Sequence, residues 1–180
     1  PQEFFNVLRK EIYKKFNDIP LIAEDLGFIT PDVIKVIEKN KFPGIRVILF
    51  AFGKDFPNNI HLPENYNDRC VAYTGTHDNN TVYGFLLKEA GKLEKENIAR
   101  YLGVKSGLSK ISMEFMKRIS ASRADLTIFP VQDILNLDYR ARMNKPSTKR
   151  NNWKWKMNFS DMSNKRFEEL GQITEKNKRN

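Results

Sequence analysis

The amino-acid sequence predicts an α/β fold built on a parallel sheet, and two observations lead to this prediction. Four short apolar segments suit buried strands, and stretches with helical periodicity separate them. This alternation favours β–α–β units, whose crossovers are right-handed. The 180 residues, 40% of them hydrophobic, are enough for a domain-sized core, and no Gly/Ser-rich linker divides them. We therefore expect a single domain.

The first helix and the first strand follow from the spacing of apolar residues. Such residues recur every four positions and predict one apolar helix face: Phe4, Leu8, Ile12 and Phe16, with Phe5 beside them. Asp18 and Pro20 end this pattern. Residues 20–23 then form a short apolar segment that is typical of a buried strand.

The second helix begins at a clear N-terminal signal. Thr30-Pro31-Asp32 combines an N-cap residue, a proline at the first helical position and an acidic first turn. The helix is expected to cover residues 31–40 and to bury Val33, Val36 and Ile37. After a Pro-Gly turn, the nearly continuous apolar run at 45–52 predicts a strand that is covered on both faces.

The remaining elements continue the alternation. Residues 70–74 and 126–130 predict the third and fourth strands. Helical patterns fill residues 81–102, with a break near Gly91, and residues 109–122. The stretch 140–156 is polar, basic and irregular. Residues 160–176 begin with Ser and Asp, and they predict the last helix.

Composition limits the cellular setting and the range of partners. The single cysteine, Cys70, cannot form an internal disulfide, so we expect a reducing, cytoplasmic location. No apolar run reaches the length of a membrane span, and we expect no membrane partner. The chain starts at Pro1 and enters a helical pattern almost at once, so we expect it to be part of something longer. The net charge of +9 is interpreted mainly as solvated lysine-rich surface.

Polar residues gather just after the predicted strands. They are Glu24 and Asp25, then Asp55, then His77 and Asp78, then Gln132 and Asp133. Catalytic groups of parallel α/β folds lie at the carboxyl ends of strands. Two carboxylates facing one cleft suit glycosidic bond chemistry, in which one protonates the leaving oxygen and another attacks or stabilises the anomeric carbon. Asp25 is expected to be structural, because neighbouring side chains on a strand point in opposite directions.

Several longer motifs follow one another along the chain. They are Ile22-Ala23-Glu24-Asp25-Leu26-Gly27 with Ile29-Thr30-Pro31, Phe42-Pro43-Gly44-Ile45-Arg46-Val47 running to Phe50-Ala51-Phe52, Tyr73-Thr74-Gly75-Thr76-His77-Asp78-Asn79, Pro130-Val131-Gln132-Asp133, Ala141-Arg142-Met143-Asn144 and Asn152-Trp153-Lys154-Trp155. In this order they resemble the 4-α-glucanotransferases of glycoside hydrolase family 77. The similarity extends from about residue 4 to about residue 157.

The resemblance implies a (β/α)8 barrel of the α-amylase clan, of which this chain would be the C-terminal half, strands five to eight. It implies that Glu24 is the general acid/base and that Asp78 is the carboxylate that binds sugar hydroxyls and stabilises the transition state. His77 would hydrogen-bond the same sugar, Phe50 would line the acceptor side, and Asn144 would lie in a loop that reaches the cleft. The implied reaction transfers α-1,4-glucan segments with retention of configuration, and it needs no cofactor or metal.

The resemblance also implies a nucleophile that the chain lacks. In this clan the nucleophile is an Asp in an Arg-x-Asp motif after the fourth strand, and nothing before Glu24 matches it. Ser122-Arg123-Ala124-Asp125 has the spacing but precedes the last predicted strand, so we interpret it as a helix exit. We expect the chain to be inactive alone, to need the missing N-terminal half of the barrel, and to have two open sheet edges, at residues 21–23 and 126–129.

Three positions depart from the pattern of the family. Asn80 stands where Asp is common, Ser147 where Gly is usual and Lys156 where Arg is usual.

Alternative interpretations remain at this stage. The chain can belong to another retaining glycosidase of the same clan, or it can be a folded but inactive binding fragment. Trp153 and Trp155 lie among lysines and arginines, a pattern that also suits single-stranded nucleic acid, although no nucleic-acid-binding signature accompanies it. The tryptophans would otherwise close the barrel end or contact sugar. With only His61, expected in a loop, and His77, no metal-ligand spacing exists.

Overall fold

The computed structural model describes residues 2–16, 21–67, 69–104, 110–163 and 165–179. Its α-helices are α1 (Gln2–Phe16), α2 (Pro31–Asn40), α3 (Val82–Lys88), α4 (Lys92–Leu102), α5 (Ile111–Ser120), α6 (Val131–Ile134) and α7 (Lys165–Lys176). Its strands are β1 (Gly44–Val47), β2 (Cys70–Tyr73) and β3 (Leu126–Ile128). Within these ranges, no helix is both long and apolar enough to cross a bilayer.

The three strands form a parallel sheet in the order β1-β2-β3. Gly44 pairs with Cys70, and Val71 pairs with Leu126. A further segment joins the β1 edge through one parallel bridge between Ala23 and Gly44, where the Ala23 N–H donates to the Pro43 carbonyl over 2.8 Å. The predicted α/β class is therefore confirmed. The predicted first strand is reduced to this bridge, and its Pro20 lies outside the described residues.

The predicted strand at 45–52 is wrong beyond Val47. The Val47 N–H donates to Nδ1 of His61 over 3.1 Å instead of extending the ladder, and the chain then turns into a 3-10 helix at Ile48–Phe50. Phe52 is fully buried, as expected. Phe50 does not share a strand face with it, and the turn leaves its ring 42% exposed.

The sequence predicted the ends of the helices better than it predicted which of their side chains are buried. Helix α2 has the predicted bounds, and the break near Gly91 separates α3 from α4. Val33 is exposed, contrary to expectation, because α2 turns Val36 and Ile37 inward instead. Phe4 is also exposed, since α1 packs through Phe5, whose ring lies 5.1 Å from that of Phe42. The side chain of Phe16 is outside the described part.

The last helix starts later than predicted. Residues Phe159–Ser163 form a 3-10 helix, and α7 begins at Lys165. The Asp161 carboxylate accepts the N–H of Asn158 over 3.0 Å, which favours this tight turn over an early start of the α-helix. Within α7, the buried Ile173 packs with Met113 and Met116 of α5 in a small second cluster.

The main core lies between the sheet and helices α3 to α5. Its centre is the pair Phe52 and Phe115, two fully buried rings that stack 5.3 Å apart with an angle of 11° between them. Ile98 of α4 and Ile119 of α5 belong to the same cluster. This packing leaves the carboxyl ends of the strands free to carry polar loops.

Asp25 attaches the segment around Ala23 to β1. Its Oδ1 accepts the N–H of Ile45 over 2.6 Å, and its Oδ2 accepts from Nη1 of Arg46 over 2.8 Å. Gly44 makes this approach possible, because a Cβ at that position would lie 2.5 Å from the Asp25 carboxylate. The side chains of Arg46 and Asp25 are only 10% and 15% exposed. Asp25 is therefore structural, as the alternation of side chains predicted.

Replacing Asp25 with Ala is expected to lower the free energy of unfolding by about 3 kcal/mol, because a buried guanidinium and a backbone N–H both lose their acceptor. Urea unfolding followed by circular dichroism measures the change. The matched control is Asp32→Ala, whose 3.6 Å pair with Lys35 is 93% and 76% exposed on the two sides. This control should cost less than about 1 kcal/mol. Equal losses in the two variants would contradict the assigned role of Asp25.

Candidate active site

A cavity of about 650 Å³ opens at the carboxyl ends of the parallel strands. Residues from every strand end contribute to its wall, among them Glu24, Phe50, Tyr73, His77, Asp78, Phe129, Asp133, Met143 and Trp153. Glu24 and Asp78 thus share one cavity at one edge of the sheet, although 54 positions of sequence separate them. Asp25 lies elsewhere and lines a different cavity with Arg46.

Glu24 is an exposed carboxylate on the cavity wall. It directly follows the bridge at Ala23 and precedes Asp25, whose carboxylate is tied to β1. Tyr73, the last residue of β2, faces the same cavity. Burial raises the pKa of the Tyr73 phenol, and the nearby charge of Glu24 raises it further. The Glu24 carboxylate therefore acts electrostatically on the end of β2, across β1 from its own segment.

A compact turn presents His77 and Asp78 to the cavity. The side-chain oxygen of Asn79 accepts both the N–H and the hydroxyl of Thr76, at 2.9 and 3.0 Å, so the turn closes on itself. His77 and Asp78 are left exposed at its tip, with Nε2 of His77 3.4 Å from Oδ1 of Asp78. The two predicted site residues are therefore neighbours in space as well as in sequence.

Asn144 holds the Asp78 side chain. Its Nδ2 donates to Oδ1 of Asp78 over 2.5 Å, and its backbone N–H donates to the His77 carbonyl over 3.1 Å. In the described part of the chain, Asn144 reaches the cavity through this hydrogen bond and not as part of its wall. The predicted loop does come to the site, and the side-chain amide of Asn144 is hydrogen-bonded to the Asp78 carboxylate.

Arg142 connects three segments around Asp78, and sequence reasoning assigned it no role. Its guanidinium donates to Glu89 Oε1 over 2.6 Å, to the Asp78 carbonyl over 2.7 Å and to the Asn144 carbonyl over 2.8 Å. Asn80 donates to the same Glu89 oxygen over 2.9 Å. An Asp at position 80, common in the family, would put two carboxylates together here. Nothing local in the sequence indicates that residues 89 and 142 meet.

Asp133 fastens both ends of the turn that carries Asp78. It is fully buried, and it accepts the Thr74 hydroxyl over 2.6 Å and the Val82 N–H over 2.7 Å. Thr74 follows β2, and Val82 begins α3. Burial raises the pKa of Asp133 to about 6, although the hydrogen bonds from Thr74 and Val82 pull it down. The buried Asp133 is thus a support for the site, while its neighbour Gln132 donates to the Ala141 carbonyl.

His61 supports Phe50 from behind. Since its Nδ1 accepts the Val47 N–H, its proton lies on Nε2, and its ring meets that of Phe50 edge-on at 5.4 Å. Burial and, to a smaller extent, the positive charge of Arg46 lower the pKa of His61 to about 4. His61 does lie in a turn, as expected, but its contact with β1 could not be predicted from its position. The Phe50 ring it supports lines the cavity.

Two further carboxylates considered from the sequence lie away from the site. Asp55 is exposed and accepts from Asn59 over 2.6 Å, away from the cavity. Asp125 of the Arg-x-Asp spacing lies at the start of β3, where its N–H donates to the Cys70 carbonyl at the start of β2. It therefore stands at the strand end opposite to Asp78, and the interpretation as a helix exit is confirmed. In the described ranges, no three His, Cys, Asp or Glu residues cluster as a metal site would require.

Comparisons with known proteins agree with this geometry. A family model described as 4-alpha-glucanotransferase, glycoside hydrolase family 77, matches residues 1–162. The chain is 38% identical over 172 residues to the 4-alpha-glucanotransferase of Clostridium butyricum, and the match covers 96% of this chain and 34% of that relative. It is 39% identical over 175 residues to the 4-alpha-glucanotransferase of Synechocystis sp., covering 97% and 34%.

Solved structures give the same picture. An amylomaltase from Streptococcus agalactiae in complex with acarbose aligns with a TM-score of 0.83 at 30% identity, over 95% of this chain and 34% of that one. An amylomaltase from Corynebacterium glutamicum aligns with a TM-score of 0.63 at 14% identity, which supports the fold alone. The chain therefore spans about one third of the length of the relatives it matches.

Replacing Asp133 with Asn is expected to remove a pH dependence of stability. In the folded wild type the carboxyl binds its proton more tightly than in the unfolded chain, so its contribution to the free energy of unfolding is fully present below pH 4. It falls as pH rises to about 6, by up to about 3 kcal/mol. Asn has no charge to bury, and its amide can still accept from Val82 and donate to Thr74. Urea unfolding between pH 4 and 7 gives the free energy of unfolding of wild type and variant, and the difference between them should change with pH. A constant difference would contradict a raised pKa of the buried Asp133 carboxyl.

Proposed function

Because this chain belongs to the 4-alpha-glucanotransferases of glycoside hydrolase family 77, we propose that it carries the acid/base part of an active site that transfers α-1,4-glucan segments. The acceptor is glucose or another glucan, and the anomeric configuration is retained. One observation carries the proposal: Glu24 and Asp78 line a single cavity at the carboxyl edge of a parallel sheet. Maltooligosaccharides are the substrates, and no cofactor takes part.

Glu24 is the general acid/base in this proposal. As an acid it protonates the glycosidic oxygen that leaves, and as a base it then takes the proton of the acceptor hydroxyl. Its position on the cavity wall next to Asp25, whose carboxylate is bound to β1, supports this role. Proton transfer to a bound sugar requires a carboxyl that is accessible from the cavity and a backbone that holds it in place. Glu24 is accessible, and the contact of Asp25 with β1 holds the backbone.

Asp78 binds sugar hydroxyls and stabilises the positive charge that develops at the anomeric carbon. His77 donates to the same sugar, and Phe50 offers an aromatic face on the acceptor side. Asn144, in contact with Asp78, keeps that carboxylate oriented toward the ring. The hydrogen bonds from Arg142 and the closed turn at Thr76 and Asn79 support a preorganised site, whose dipoles need little rearrangement in the transition state.

The nucleophile comes from polypeptide beyond this chain. Among the described residues, the carboxylates of the cavity wall are Glu24, Asp78 and Asp133, and Asp133 is buried with two donors. The chain spans only about a third of its relatives. We propose that it supplies strands five to eight of a (β/α)8 barrel. The exposed Leu21 and Ile22 on one sheet edge, and Leu126 and Ile128 on the other, support further strands on both sides.

The orientation of Trp153 favours a carbohydrate role over the nucleic-acid alternative. Its ring lies 5.2 Å from that of His77 and lines the cavity that holds Glu24 and Asp78. Four basic residues near it are exposed: Lys149, Arg150, Lys154 and Lys156. A base-stacking surface would instead present the tryptophan along the basic groove.

The change Glu24→Gln in the complete enzyme is expected to lower transfer by roughly a hundred- to ten-thousand-fold, because the amide keeps the shape but cannot deliver a proton. Incubation with maltotriose measures this as release of glucose together with longer oligosaccharides. Glucose without longer products would indicate hydrolysis and a different clan member. The matched control is Asp55→Asn, a strand-end carboxylate outside the cavity, which should keep nearly full activity. If the Glu24→Gln enzyme is as active as this control, Glu24 is not the general acid/base.

The change Asp78→Asn should weaken transition-state binding more than ground-state binding. An acarbose complex is known for the Streptococcus agalactiae amylomaltase, and this inhibitor serves as the probe. We expect its inhibition constant to rise by about a hundredfold or more, while KM for maltotriose changes by less than about tenfold. Inhibition by acarbose that is unchanged from the wild type would exclude Asp78 from the sugar-binding site.

A further inference from the structure

Trp153 is a large aromatic side chain left uncovered in the wall of the cavity. It is 60% exposed, and part of its indole meets the His77 ring at 5.2 Å with an angle of 36°. Both residues line the cavity with Glu24 and Asp78. Exposed aromatic surface within a concave site rimmed by hydrogen-bonding groups is typical of a place where a ligand binds.

The backbone of Trp153 adopts a conformation that its side chain does not favour. Its φ of 61° lies in the left-handed region, which costs an L-residue free energy relative to glycine. Two features hold it there. The Trp153 N–H donates to the Met143 carbonyl over 2.7 Å, and the preceding Asn152 closes the loop through Lys145 N–H and the Thr148 carbonyl, each at 3.0 Å.

Packing within the described chain does not explain this arrangement. A bulky residue in a left-handed conformation is usually compensated by burial, yet most of the Trp153 indole faces solvent. In the described chain, its ring contact is with His77, itself exposed. Strained positions of this kind cluster at ligand clamps, where the free energy is recovered on binding. Trp155, two residues further along the chain, is half-buried and does not line the cavity. The two tryptophans therefore differ in both exposure and location.

The cavity also carries a second aromatic face. Phe50 is 42% exposed and is fixed edge-on by His61. Phe50 belongs to the 3-10 helix after β1, and Trp153 to the irregular segment after β3, so different elements supply the two aromatic walls. Pyranose rings present apolar C–H groups on their faces, and aromatic faces complement them.

We propose that Trp153 is a stacking platform for one glucose ring of the glucan, next to the bond on which Glu24 and Asp78 act. This rests on the function proposed above. His77, which contacts both the Trp153 ring and the Asp78 carboxylate, joins the platform to the reacting position. Trp153 is thus a binding residue that sets affinity for the sugar and takes no part in proton transfer.

The variants Trp153→Asn and Trp153→Phe, made in the complete enzyme, separate binding from folding. Asn tolerates the left-handed backbone but has no aromatic face, so KM for maltotriose should rise about tenfold while kcat changes less than about threefold. Its melting temperature should stay within about 2 °C of wild type or rise. Phe keeps a flat face and should restore KM to within about threefold of wild type. Trp155→Phe is the matched control and should leave KM unchanged.

Titration of intrinsic fluorescence with maltotriose supplies a readout that does not depend on turnover. The change in emission should be lost in Trp153→Phe and kept in Trp155→Phe. A Trp153→Asn enzyme with unchanged KM, or one that melts several degrees lower with the fluorescence change intact, would overturn the platform. If the wild type transfers nothing but the fluorescence change still requires Trp153, the proposed function fails and the platform stands. Neither transfer nor a fluorescence change in the wild type would overturn both.

Discussion

The position of Glu24 depends on the contact between its neighbour Asp25 and β1. From residue 21 onward, where the structure describes it, the segment that carries Glu24 makes a single bridge to the sheet and no extended ladder of hydrogen bonds. Asp25 replaces that ladder by accepting the Ile45 N–H and the Arg46 guanidinium. Because adjacent side chains point in opposite directions in an extended chain, binding Asp25 on one side turns Glu24 to the other, toward the cavity. The Asp25 side chain thus aligns this segment with the sheet, as backbone pairing aligns β2 and β3.

The same device recurs at Asp78. Its turn is held by the buried Asp133, which accepts the Val82 N–H at the start of α3 as Asp25 accepts the Ile45 N–H in β1. In both places a buried carboxylate binds a backbone donor of a regular element, and an exposed carboxylate nearby faces the cavity. Buried groups with fully satisfied hydrogen bonds hold a site rigidly, since each alternative position would leave a donor unpaired. The two exposed carboxylates therefore owe their shared location to the contacts of Asp25 and Asp133.

Local signals in the sequence predicted the alternating architecture, the bounds of α2 and the break at Gly91, because caps, prolines and periodicity act over a few residues. They also separated Glu24 from Asp25. They failed where a distant residue decides the outcome. The strand at β1 stops because His61 takes the Val47 N–H, and Arg142 becomes central because Glu89 folds next to it. The resemblance to a family indicated the turn at Asp78. The hydrogen bond from the Asn144 amide to the Asp78 carboxylate, however, depends on the three-dimensional structure and has no signal in the sequence.

Pairing with arginine separates two carboxylates that build this structure from those proposed to act in it. Asp25 is bound to Arg46, and Glu89 is bound to Arg142. Asp78 has Arg142 close by, yet the guanidinium contacts its backbone carbonyl and leaves the carboxylate to the neutral amide of Asn144. The network around Arg142 therefore fixes the Asp78 backbone and leaves the Asp78 carboxylate to Asn144, an arrangement that suits the role proposed for this carboxylate.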